Sequence, residues 1–192
     1  MKKTLKFCIA ALLPVMLMAG CSDKENNTTS GEAGSDASSV AEPASVSATE
    51  FNAGNFTVSV PEGWKEFPQT DMWADDPSTI DPDSLSICKG ATEDWETLIK
   101  PSIDIVHYGT EESMTIPSSE WYDNTNDLEP MTIGDKTWNG FTAESMETPM
   151  AILWTGEEGE HQYQVTLWLK MSDSSINISD ADVQTIIGSI KP

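Results

Sequence analysis

Outside its carboxylates, this chain offers few residues able to do chemistry. It has two histidines and three cysteines in 192 residues, against 32 aspartates and glutamates. No Cys-His or His-His spacing of the zinc kind links them, so zinc is not expected. His107 falls on the apolar side of an alternating segment, where a hydrogen-bonded core or rim histidine is the ordinary reading. His161 follows Glu160 at the start of another strand and reads as a surface residue. Cys88, in Leu85-Ser86-Ile87-Cys88, reads as a small buried hydrophobe. A nucleophilic cysteine wants a histidine beside it, and nothing in the sequence brings one there.

The acids are the second source of chemistry. Asp71, Asp75, Asp76, Asp81 and Asp83 crowd a stretch punctuated by Pro77 and Pro82. Calcium takes several oxygen ligands at once, which makes Asp75, Asp76, Asp81 and Asp83 candidates for holding it. Asp123 and Asp127, in Asp123-Asn124-Thr125-Asn126-Asp127-Leu128-Glu129, place oxygen donors at alternate positions like the start of an EF-hand. However, Leu128 stands where that loop needs glycine, and turn chemistry explains the Asp and Asn equally well. Calcium is the only cofactor these residues suggest. No Gly-x-Ser-x-Gly motif and no glycine-rich phosphate loop is present, and the chain reads as a non-enzyme.

The tryptophans point to binding. Trp73 and Trp121 sit in acidic, loop-like surroundings, where an exposed indole can stack on a sugar ring or anchor a protein. They are the predicted contact residues. Trp168 lies opposite the apolar face of its strand, either free or beneath a covering helix.

Charge excludes one class of partner. The net charge is −22. The chain contains no arginine, so the clustered Lys and Arg that phosphate contacts need are missing. Nucleic acid is excluded as a partner, and anionic headgroups would repel such a surface.

The N-terminus reads as an address. Lys2, Lys3 and Lys6 precede an apolar run from Phe7 to Met18, a length suited to a signal peptide and too short for a membrane span. The run Leu17-Met18-Ala19-Gly20-Cys21 resembles the lipobox of bacterial lipoproteins, with Met18 where leucine is preferred. The resemblance implies cleavage after residue 20 and a lipid on Cys21, hence a chain held on a bacterial envelope membrane. Cys8 would leave with the leader and Cys88 would have no disulfide partner in the folded part. Residues 21–50 are rich in Ser, Ala, Glu and Thr without apolar period, as a disordered tether would be.

Residues 51–192 read as one domain. Phe56, Val58 and Val60 alternate, and Pro61-Glu62-Gly63-Trp64 breaks them with a turn. Further strands are expected at 84–89, 102–108, 131–133, 136–146, 150–155 and 161–171, with short helical turns at 92–99 and 118–123. Val183, Ile186, Ile187 and Ile190 follow the spacing of a buried helical stripe, with Ser179 as its cap. The segment Phe56-Thr57-Val58-Ser59-Val60-Pro61-Glu62-Gly63-Trp64, the Ile133-Gly134-Asp135-Lys136 turn and the closing Val183–Lys191 helix resemble PsbP/Mog1-like domains. Residues 69–84 and 109–130 depart from that pattern as long acidic loops. The resemblance implies an α+β fold, an antiparallel sheet packed against helices, and a binding or accessory module. The expected function is therefore a lipid-anchored, extracytoplasmic module for an envelope protein partner, with an envelope glycan or divalent cation as the alternative ligand.

Overall fold

The structure, a computed structural model, describes residues 46–192. The proposed leader, Cys21 and most of the tether lie outside the described residues. A hairpin comes first, β1 (Ala48–Asn52) and β2 (Thr57–Pro61), so regular structure begins ahead of the boundary expected at residue 51. Then follow β3 (Trp64–Thr70), β4 (Ile80–Lys89), β5 (Ser102–Tyr108), β6 (Asp123–Ile133), β7 (Lys136–Ser145), β8 (Thr148–Thr155) and β9 (Gln162–Trp168). A small ribbon, β10 (Lys170–Met171) with β11 (Ser174–Ser175), leads to α1 (Ala181–Gly188).

β3 to β9 form one seven-stranded sheet in the order β3-β4-β5-β9-β8-β7-β6. Every neighbouring pair is antiparallel. The inward rows are alternating apolar positions: Leu85 and Ile87, Ile103 and Ile105, Tyr163, Val165 and Leu167, all buried. Phe56, just before β2, and Val58 and Val60 of β2 pack on them together with Val183, Ile186, Ile187 and Ile190. Each fully buried side chain of this size contributes roughly 1.5–3 kcal/mol of apolar transfer.

The helix is pinned at both ends. Trp64 Nε1 donates to Asp182 Oδ2 at 2.8 Å, and Lys89 Nζ stands 3.0 Å from the same oxygen. Partial burial works against the Asp182 carboxylate, but these partners outweigh it and hold its pKa below the usual range. The cap residue is Asp180, not Ser179, and Asp182 spends its side chain on this tertiary clamp. At the far end Ser59 N–H donates to Ser189 Oγ at 2.8 Å.

This overturns the expected α+β architecture, a sheet packed against helices. The domain is mostly β, with a single short α-helix among the described residues. Two causes explain the difference. The helical signals at 92–99 and 118–123 last one turn each, as 3₁₀ segments Asp94–Leu98 and Ser119–Trp121. The first buries no stripe, since Trp95, Leu98 and Ile99 are exposed. Second, acidic residues 123–130, read as loop, belong to β6 at the sheet edge. Polar and charged side chains on both faces protect an edge strand from further pairing, and they also erase the alternation by which a strand is recognised.

Candidate functional site

The hairpin and α1 pack on one side of the sheet, and on the other side Ser86, Ser102, Phe141, Met150 and Ile152 are also buried. The rows of this second face are set by register. Ser86 pairs with Asp104, Asp104 with Thr166, Thr166 with Ile152 and Ile152 with Phe141. The next row holds Ser102, Trp168 and Met150. Phe141, Ala143, Met150 and Ile152 make a small apolar cluster, flanked by partly buried Tyr122, Trp154 and Trp168. Trp168 is therefore on the face away from α1, as its place in the alternation implied.

Asp104 is the polar centre of this face. Ser86 Oγ donates to its Oδ1, and Trp168 Nε1 donates to its Oδ2 at 2.8 Å. Burial pushes the Asp104 carboxyl above the usual range, and the two donors draw it part of the way back. Each oxygen keeps acceptor capacity beyond its one bond. The carboxyl lies at the wall of a cavity of about 420 Å³, with Ser84, Ser86, Asp71, Asp81 and Trp73 among its other walls.

The loop after β3 brings Trp73 there. Asp71 N–H bonds to Thr79 O at 2.8 Å and closes the loop, and Trp73 N–H bonds to Asp71 Oδ1 at 2.8 Å. Asp76 accepts from Ser78 N and Oγ, which holds its pKa low. Trp73 is 91% exposed and Met72 beside it 85%. The aromatic predicted as a contact thus stands at a cleft with carboxylates. Trp121 is also exposed but is not among the walls of that cleft.

The predicted metal candidates do not gather. Among the described residues no three His, Cys, Asp or Glu side chains converge where they could hold a metal ion. Asp75 is exposed, Asp76 is engaged with Ser78, and Asp81 Oδ1 accepts from Asp83 N–H at 2.9 Å. Asp123 and Asp127 lie exposed on β6.

Asp83 has a different set of partners. His107 Nδ1 is 2.6 Å from its Oδ1, and Asn55 Nδ2 donates to both its oxygens at 2.9 Å. His107 Nε2 is in turn 2.8 Å from His161 Nδ1. The two histidines of the chain are hydrogen-bonded to each other, across β5 and the segment before β9. Sequence reasoning missed this because they are far apart in the chain. The available signal was register, since His107 pairs with Tyr163 in the two strands that the alternation located. Cys88 meets neither histidine; it is buried and its Sγ faces the Pro101 carbonyl at 3.5 Å.

No protein-family model matches the chain, and no curated protein matches it. One solved structure, a protein from Bacteroides thetaiotaomicron VPI-5482, is similar with a TM-score of 0.41 and 12% identity. The likeness covers 74% of this chain and 47% of that one, so the chain spans less than half of that protein's length. A likeness at that level carries no functional assignment.

Proposed function

We propose that this chain is a lipid-anchored, extracytoplasmic binding module of a bacterial envelope, and that the cleft between Trp73 and Asp104 takes a glycan. The observation that carries the reading is Asp104, fixed by Ser86 and Trp168 at the wall of a cleft beneath an exposed indole, Trp73. Sugar rings present an apolar C–H face and a rim of hydroxyls. An indole serves the first, and aimed carboxylate and hydroxyl oxygens serve the second. An amino sugar would gain further from the negative charge around the cleft. The lipobox-like run ending at Cys21 supports the anchor, and the absence of arginine supports a partner that is not a polyanion.

Titration of envelope glycan fragments, followed by intrinsic tryptophan fluorescence, tests the ligand. Trp73→Ala and Asp104→Asn should each weaken binding at least tenfold. Wild-type affinity in both variants would remove the cleft from the reading. Cys21→Ser should move the protein from the membrane fraction to the medium; retention on the membrane would remove the lipid.

A protein partner is the second reading, favoured by Met72 and Trp73 standing exposed side by side. Under it, affinity capture from the native envelope recovers one protein with the wild-type chain and none with the Met72→Ala/Trp73→Ala double variant.

A further inference from the structure

The histidine pair carries a second site. Asn55 precedes β2, Asp83 lies on β4, His107 on β5 and His161 ahead of β9, so four separate segments build one hydrogen-bonded line. His107 is 4% exposed and packs against Phe56 and Tyr163, whose ring centroids lie 6.0 and 5.2 Å from its own. A carboxylate only accepts, so Nδ1 of His107 carries a proton toward Asp83. His161 meets His107 through its Nδ1, so Nε2 is the ring nitrogen of His161 that faces away from the line.

That nitrogen belongs to an exposed ring at a cavity of about 430 Å³, whose walls also include Thr110, Glu111 and Glu112. Glu112 is already oriented, because its Oε2 accepts from Gly109 N–H at 2.9 Å. No lysine is among the walls. A histidine that donates its second ring nitrogen into a buried carboxylate-backed network, while offering the first to solvent, has the outer-shell arrangement of a metal ligand. Imidazole nitrogen selects zinc-type ions over calcium and magnesium, which prefer all-oxygen sites.

We propose that this corner binds a divalent transition-metal ion of the zinc type, through Nε2 of His161 and a carboxylate of Glu111 or Glu112. Because no three ligating side chains converge beforehand, water completes the coordination and the ion is accessible and exchangeable. The site is separate from the glycan cleft: His107 faces the side of the sheet covered by β2, whereas Asp104 faces the other.

The test is calorimetric titration of Zn²⁺ into the full chain with Cys8→Ser and Cys21→Ser, which remove the thiols outside the described residues. One-to-one binding is expected, unchanged by excess Mg²⁺ or Ca²⁺. His161→Ala should weaken it at least tenfold, and Asp83→Asn, acting through His107, about tenfold. Imidazole ¹⁵N shifts give a second readout on the unsubstituted site. Metal-free His161 should carry its proton on Nδ1, and Zn²⁺ should move the Nε2 resonance of His161 and leave His107 bonded to Asp83. Absence of saturable Zn²⁺ binding, binding indifferent to His161→Ala, or a metal-free His161 protonated on Nε2 would each overturn the proposal.

Discussion

Trp168 and Asp104 are joined across one row of the sheet, indole N–H to carboxylate oxygen at 2.8 Å. Direct register puts Asp104 opposite Thr166 and Trp168 opposite Ser102, so the bond is a diagonal one on the face away from α1. Such diagonals lie within reach of aromatic side chains. Here it turns an indole into a fixed donor and leaves a carboxyl in surroundings that disfavour its charge.

Asp104→Asn should therefore separate stability from binding. The amide carbonyl can accept from Trp168 while its NH₂ donates to Ser86. Burial raises the folded-state pKa of Asp104, so the folded chain holds this proton more tightly than the unfolded one. Its charge is then a cost that is absent below the unfolded pKa and grows as pH rises through the folded value. At neutral pH the variant should melt no lower than the parent, while glycan affinity falls about tenfold or more. In the parent, affinity should drop as pH falls through the raised pKa. A variant that melts well below the parent would contradict this account of Asp104.

Asp182→Ala removes the shared acceptor of Trp64 and Lys89 and leaves the buried indole N–H without a partner. A loss of about 1–3 kcal/mol in urea-unfolding free energy is expected. The effect of Trp64→Phe should be smaller in that background than in the parent, because both changes break one bond. Simple additivity would show that the clamp does not act as a unit.

Cys88 should be chemically silent in the native fold. Burial pushes its thiol up to about 11, against a smaller opposing pull from Lys100. Iodoacetamide at pH 8 should leave it unmodified until denaturant is added, as read by intact mass. Rapid native labelling would mean that this corner opens.

Gly134 and Gly63 both have positive φ, +65 and +84, yet they should respond differently to alanine. A Cβ at Gly134 would come within 2.3 Å of the Gly188 carbonyl oxygen, where the β6–β7 turn meets the end of α1. At Gly63 nothing lies within 4 Å. Gly63→Ala should cost about 1 kcal/mol for conformation alone, and Gly134→Ala about 2–4 kcal/mol, measured by thermal unfolding.

The inward rows were legible because alternation is a local property. Phe56-Val58-Val60 announced a buried face, and the Val183, Ile186, Ile187, Ile190 stripe announced the helix. Only the end of β6, 131–133, was legible; residues 123–130 were hidden because an edge strand is specified by its partner β7, and Asp123, Asn126 and Asp127 carry no apolar period. The site was legible only in part. Trp73 was readable as an exposed indole in an acidic loop, and Trp168 as an outward residue. Their link to Asp104 was not, since two-residue periodicity says which face a side chain takes and nothing about which strand lies beside it. The same limit hid the Asp83–His107–His161 line, which exists only because β4, β5 and β9 are neighbours.

The C-terminal end lies beside the start of the described chain. Lys191 bridges to Thr57 through both backbone groups, and its ammonium meets Glu50 of β1 at 2.8 Å. The described residues thus almost close a ring, open between β1 and the residues after α1. A short linker across that gap would make the ring continuous, and fresh termini could open at the exposed Gly156-Glu157-Glu158-Gly159 turn between β8 and β9. This geometry puts the first described strand and the residues after α1 at the same edge, so the order in which the elements are strung together is separable from the sheet they build.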